Sequence, residues 1–220
     1  MLPRLREAVA DFSLLLTKGY ADKSALKLVG DRFSLTQRQR LAVMRSSCSD
    51  QQRQSRRERC VPIEALPGQA LAIDGYNLLI TIEAALSGGW IFQGRDGCFR
   101  DLASIHGTYR KVEETIPAVK LIGGFLTEIR IASALWLLDS PVSNSGRLKT
   151  LIGQLAREND WPWEIRLTIS PDAELSRTDT IVVSTDSVIL DACQKWTNLA
   201  AAIITQGRPS AAVIETGLSP

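Results

Sequence analysis

Three apolar runs in this chain each end in an aspartate, and that repetition constrains the fold more than any other feature. Ala70-Leu71-Ala72-Ile73 closes on Asp74, Leu135-Trp136-Leu137-Leu138 on Asp139, and Thr180-Ile181-Val182-Val183-Ser184 on Thr185-Asp186. Short apolar runs bounded by turn residues read as buried strands. The first is followed at once by Gly75-Tyr76-Asn77 and by apolar residues at helical spacing through Leu86. A strand that passes directly into a helix is the unit of a parallel α/β sheet. In such sheets an acid at the carboxyl end of a strand stands at the crevice where ligands bind.

The remaining elements are predicted around these strands. Residues 5–60 read as three or four helices, with Leu5, Val9, Phe12, Leu15 and Leu16 at helical spacing in the first. Pro62 to Gly68 reads as a linker. Trp90–Gln93 reads as a short strand, and Asp96-Gly97 as a turn. Residues 102–132 read as one or two helices broken near Pro117, and Leu148–Glu158 as another. Trp163–Ile169 alternates like a half-exposed strand. Ala200–Thr205 is predicted as a further strand, and Ala211–Ile214 as an edge strand or tail. The predicted organisation is a small all-α, arginine-rich domain over 1–61, a linker over 62–69, and an α/β domain with a mostly parallel central sheet over 70–220.

Charge follows the same division. Residues 1–64 carry a net +6 and the remainder −4. Seven arginines and two acids lie between Arg38 and Arg59. One reading is a solvated helix face or mobile linker. The other is a phosphate-backbone surface made by Arg53, Arg56, Arg57 and Arg59, since the guanidinium fork matches phosphate. Further phosphate contacts are predicted at Arg95, Arg100 and Arg110, and at Ser143, Ser145 and Arg147 near the start of a helix. Asp96, Asp101 and His106 are additional candidates, and each also has a structural reading. A single histidine and four cysteines without CxxC spacing argue against structural zinc. Scattered thiols fit a reducing cytosol. No apolar run is long enough to cross a membrane, and the first residues read as neither a signal nor a transit peptide.

Aspartates gathered at one sheet edge would repel each other by about 4 kcal/mol per pair at 4 Å and an effective dielectric near 20. No lysine lies in these strand-end motifs to neutralise them. A divalent ion would, and all-oxygen ligands select Mg²⁺ or Mn²⁺. Such an ion activates water and stabilises a leaving oxygen in phosphodiester hydrolysis.

Asp74-Gly75-Tyr76-Asn77, the Asp139 strand end and Ser184-Thr185-Asp186-Ser187-Val188-Ile189-Leu190-Asp191 resemble the acidic motifs of PIN-like, NYN-type nucleases. Nearly the whole chain resembles an uncharacterised prokaryotic family that joins a small helical N-terminal domain to a PIN-like domain. The resemblance implies a PIN-like three-layer fold. It also implies Asp74, Asp139, Asp186 and Asp191 as metal ligands, and Asn77 as an orienting group among the catalytic residues. The sequence departs from the NYN pattern in lacking a Lys-Gly motif followed by further acids, a place that Asp172 or Asp179 could take. Asp96, Arg100 and Asp101 have no counterpart in the PIN pattern.

The expected function is a cytoplasmic, Mg²⁺- or Mn²⁺-dependent endoribonuclease with RNA as partner. A homodimer is allowed and no membrane is expected. Two alternatives stand beside it: a non-catalytic RNA-binding protein of the same fold, and a small-molecule phosphatase or nucleotide-binding enzyme built on the Ser143–Arg147 loop.

Overall fold

The computed structural model describes residues 2–102, 112–206, 209 and 211–217. Four helices come first: α1 (Leu2–Thr17), α2 (Asp22–Arg32), α3 (Gln37–Ser46) and α4 (Asp50–Arg59). Thr36 and Ser49 open α3 and α4 with full capping boxes, completed by Gln39 and Gln52. Ala8, Val9 and Phe12 of α1 pack on Ala25, Val29, Leu35 and Val43 to give these helices a small core. The arginine-rich stretch is therefore a capped helix.

Among the described residues, five strands form the main sheet: β1 (Ala70–Asp74), β4 (Ser133–Asp139), β5 (Trp163–Thr168), β6 (Ile181–Val183) and β7 (Trp196–Thr197). Their order is β5-β4-β1-β6-β7, with every pairing parallel. The chain moves outward from β1 through β4 to β5, then returns to the other side of β1 with β6. Strand order thus reverses at β1, where a ligand crevice opens at the carboxyl ends. A second, smaller sheet joins β2 (Trp90–Gln93) to β3 (Phe99–Arg100) and β8 (Ala212–Glu215).

Strand residues alternate between two apolar layers. Leu71, Ile73, Ala134, Trp136, Leu138, Ile181 and Val183 face one layer. They pack there with α5 (Gly75–Leu86), α6 (Thr115–Glu128), α7 (Ser145–Glu158) and α10 (Leu199–Thr205). Ala72, Leu135, Leu137 and Val182 face the other layer, with Leu175 of α8 (Pro171–Leu175) and Ile189 and Leu190 of α9 (Ser187–Ala192). Burial on both faces explains why these strands are continuously apolar rather than alternating. β5, at the sheet edge, does alternate in exposure.

Two elements differ from the sequence reading. Ala200–Thr205 is helical, because Leu199, Ala200, Ile203 and Ile204 turn one buried stripe to the core. Pro117 falls in the first turn of α6, where its missing N–H costs nothing, so that helix starts at Thr115 rather than breaking there. His106 and Arg110 lie outside the described residues. No helix among the described residues is long and apolar enough to cross a membrane.

The helical unit is fastened to the α/β domain by backbone as well as side chains. Cys60 pairs in parallel with Trp196, Val61 N–H donates to Trp196 O at 2.7 Å, and Trp196 Nε1–H donates to Arg56 O at 2.8 Å.

One close approach sets the start of α5. A Cβ on Gly75 would stand 2.5 Å from Leu138 Cδ2 and 2.9 Å from Leu137 O. Gly75→Ala is expected to destabilise the fold by about 1–3 kcal/mol through overpacking, read as a lower urea midpoint at unchanged m. A midpoint equal to wild type would mean that α5 does not sit hard against β4.

Candidate active site at the carboxyl edge of the sheet

Asp74 ends β1, is 8 % exposed, and divides its two oxygens between two tasks. Oδ1 caps α5 by accepting from Asn77 N–H at 3.4 Å, and Oδ2 accepts from Ser184 Oγ–H at 2.8 Å. Ser184 Oγ in turn accepts from Asp186 N–H at 3.0 Å. Asp186 repeats the design beyond β6: its Oδ1 caps α9 through Val188 N–H at 2.8 Å and Ile189 N–H at 3.4 Å. Asn77 is oriented by β6, since its Oδ1 accepts from both Thr185 N–H at 2.9 Å and Thr185 Oγ1–H at 3.0 Å. The backbone donor fixes which side of the amide is oxygen, so Nδ2 faces away from Thr185.

These residues line a cleft of about 480 Å³ between the carboxyl edge of the sheet and the helical unit. Asp74, Tyr76, Asn77, Thr185, Asp186 and Asp172 form one side; Met44, Arg45, Gln52 and Leu16 form the other. Asp172 stands at the start of α8. The cleft is therefore completed by the N-terminal helices.

Three acids here are raised, each partly by a neighbouring carboxylate. Burial, and then the charges of Asp186 and Asp172, push Asp74 up to about 7 against the hydrogen bonds from Ser184 and Asn77. Burial and Asp172 raise Asp139; burial and Asp186 raise Asp172. Burial and the Asp139 charge also push Tyr76 up to about 12. Carboxylates raised by burial and by each other lack a cationic partner, and such clusters gather at functional sites. No histidine or cysteine lines the cleft among the described residues. The donors are carboxylate and amide oxygens, which fit Mg²⁺ or Mn²⁺. Among the described residues, no three His, Cys, Asp or Glu side chains stand as a ready cage for one ion.

Several assignments made from sequence are corrected by this geometry. Asp191 does not face Asp74: its Oδ1 accepts from Arg56 Nε–H at 2.8 Å and its Oδ2 from Gln52 Nε2–H at 2.7 Å. Asp172 is the acid that joins Asp74, Asp139 and Asp186. It comes from a five-residue helix, and of the two acids that the sequence offers for the missing NYN positions, Asp172 and Asp179, it is the one that stands in the cleft.

Arg56 and Arg100 are structural. Arg56 is 1 % exposed and pairs with Asp96 at 2.6 Å and Asp191 at 2.7 Å. Arg100 grips the same Asp96 at 2.7 Å, donates from Nε–H to Thr185 O at 2.8 Å, and donates to Arg45 O at 3.1 Å. Burial alone would raise Asp96, but the Arg100 and Arg56 guanidinium groups outweigh it and hold the carboxyl well below the carboxylate range. This buried Arg56–Asp96–Arg100 lock ties α4 to the β2–β3 turn and to the strand end that carries Asp186. Asp101 is likewise engaged: its carboxylate accepts from Thr81 Oγ1–H at 3.0 Å and its carbonyl from Arg45 at 2.6 Å.

The other candidates are dispersed. Arg95 holds the α4 N-terminus through Asp50 at 2.6 Å and Cys48 O at 3.1 Å. Arg59 donates to Ser55 and to Cys193 O. Ser143 and Arg147 are exposed. Ser145 Oγ–H donates back to Ser140 O at 3.2 Å, and Asn144 in a left-handed conformation, not a serine, occupies the N-cap of α7.

A family model described as "Domain of unknown function (DUF5616)" matches residues 63–202. The chain belongs to the DUF5616 family. A second model, "Protein of unknown function (DUF434)", matches residues 4–59, the four N-terminal helices. A relative from Methanocaldococcus jannaschii, the uncharacterized protein MJ0935, is 28 % identical over 186 residues, which cover 84 % of this chain and 88 % of the relative. A match of that length takes in parts of both the helices and the sheet. No solved structure gives a significant match.

Proposed function

We propose that the protein is a metal-dependent ribonuclease of PIN-like type, with Asp74, Asp139, Asp172 and Asp186 holding Mg²⁺ or Mn²⁺ and Asn77 orienting a ligand. The observation that carries this reading is the meeting of Asp74, Asp172 and Asp186 in one cleft at the carboxyl sheet edge, with Asp139 close enough to feel the Asp172 charge. The all-parallel order β5-β4-β1-β6-β7 supports it, because strand reversal at β1 puts the crevice over Asp74. When bound, the ion would supply an activated water and stabilise the leaving oxygen. The chain's own part is to orient. Thr185 fixes Asn77, Ser184 bridges Asp74 to the Asp186 backbone, and the Arg100 bond to Thr185 O steadies both.

Single-stranded RNA incubated with Mn²⁺ tests the proposal. Wild type is expected to cleave it, and Asp74→Asn and Asp186→Asn to lose at least about 100-fold in rate, the scale of a lost electrostatic catalytic contact. Cleavage that survives both substitutions undiminished would place the chemistry elsewhere.

A second reading, an RNA-binding protein of this fold without hydrolysis, is favoured by one observation: the acids are not gathered into a ready cage. It expects salt-dependent RNA binding and no cleavage with any metal.

A further inference from the structure

We propose that the side of α4 carrying Arg53 and Arg57 is a binding site for a phosphate monoester, separate from the acidic cleft. The helix sorts its arginines to two sides. Arg56 turns inward to Asp96, whereas Arg53 and Arg57, one turn apart, line a second pocket of about 420 Å³. That volume lies within the roughly 300–1,000 Å³ of small-ligand sites. Among the described residues neither Arg53 nor Arg57 has an acidic partner at salt-bridge distance. Glu58, beside Arg57, instead accepts from Gln54 at 2.6 Å, and Asp50, three residues before Arg53, pairs with Arg95 at 2.6 Å. Like charges four residues apart on a helix repel, and an anion bridging the two guanidinium groups would turn that repulsion into charge-assisted hydrogen bonds.

The lining of the pocket points to the kind of anion. Arg53 and Arg57 come from α4, Gly94 and Gly97 from the β2–β3 turn, and Trp196, Asn198 and Gly217 from separate segments. Segments that converge on one small pocket suit a terminal group. A terminal phosphate is a monoester dianion, and two arginines match its charge. Gln93 and Glu215, paired in the second sheet and lining the same pocket, can accept from hydroxyl or amino groups carried by the same ligand. The ligand is thus a nucleotide-like phosphate monoester, either a free nucleotide or the phosphorylated end of an RNA strand. Nothing in this site depends on the metal reading, since the lock stands between the two pockets.

Calorimetric titration in EDTA tests the site, using wild type, Asp74→Asn and the double variant Arg53→Gln/Arg57→Gln. The probes are inorganic phosphate, adenosine 5′-monophosphate, and one short oligoribonucleotide bearing either a 5′-phosphate or a 5′-hydroxyl. Phosphate-bearing probes are expected to bind wild type and Asp74→Asn equally, and the double variant at least tenfold more weakly with its melting temperature unchanged. Tighter binding of the nucleotide than of the phosphorylated strand assigns the free nucleotide; the reverse assigns the RNA end. The proposal is overturned if no phosphate probe binds, if the double variant binds as wild type does, or if the 5′-hydroxyl strand binds as well as the phosphorylated one. EDTA and Asp74→Asn remove cleavage from the measurement, so a failed nuclease assay leaves this result intact.

Discussion

Asp74→Asn is expected to make the metal-free protein more stable at pH 8, by about 2–4 kcal/mol, while removing the activity proposed for it. Asp74 is buried and its pKa is raised to about 7, against about 3.9 in an unfolded chain. A carboxyl with a raised folded pKa binds its proton more tightly in the native state. The fold therefore keeps its full stability below pH 4, loses it as pH rises from about 4 to about 7, and is flat above. Asparagine keeps the oxygen that caps α5 and carries no charge. The melting temperature of Asp74→Asn at pH 8 should exceed that of wild type by about 5–15 °C for a domain of this size, and the gain should vanish near pH 4. Equal melting temperatures at both pH values would mean that Asp74 carries no penalty and is not a strained ionic site. A protein that is less stable with its acid than without it fits the general trade between stability and function.

Removing Asp96 should do the reverse. Asp96→Ala leaves Arg56 and Arg100, 1 % and 7 % exposed, without their shared carboxylate. Taking one partner from a buried pair costs about 3–5 kcal/mol, a fall of roughly 10 °C or more. The pH signature is also opposite to that of Asp74. A depressed carboxyl contributes stability that is present above its unfolded pKa near 3.9 and is lost as pH falls toward the lower folded value. Wild type should thus weaken between pH 4 and pH 2 more steeply than Asp96→Ala. Because Arg100 also holds Thr185 O, the variant should loosen Asn77 and Asp186 even where it remains folded. A variant that melts with wild type would show that the lock is not under load.

Much of the sheet was legible in the sequence because its strands are buried on both faces. Apolar runs at Ala70, Ala134 and Ile181 have no other economical use in a chain this size, and the aspartate at each end marks the carboxyl edge. α10 was not legible: a six-residue apolar run carries no length signal, and only packing distinguishes it from a strand. α4 carried its capping box in plain view at Ser49 and Gln52, but its lack of apolar residues suggested solvent. The role of Arg56 could not be read, because its partners lie 40 and 135 residues away. The same guanidinium fork fits carboxylate and phosphate alike, so residue type alone favoured neither. Asp191 was assigned to the acidic cluster by the resemblance of the Ser184–Asp191 stretch to PIN-like motifs, five residues after Asp186. One helical turn carries it past the cleft edge to Arg56, while Asp172 reaches the cluster from across a chain reversal.

That exchange of one aspartate for another gives the sharpest test of the account. Mn²⁺ titration by calorimetry on wild type, Asp172→Asn and Asp191→Asn compares the two acids directly. The expected result is that Asp172→Asn weakens Mn²⁺ binding by about tenfold or more, the loss of roughly 1.4 kcal/mol or more of ligation, while Asp191→Asn binds as wild type does. Full affinity in Asp172→Asn together with its loss in Asp191→Asn would contradict the site assembled at Asp74.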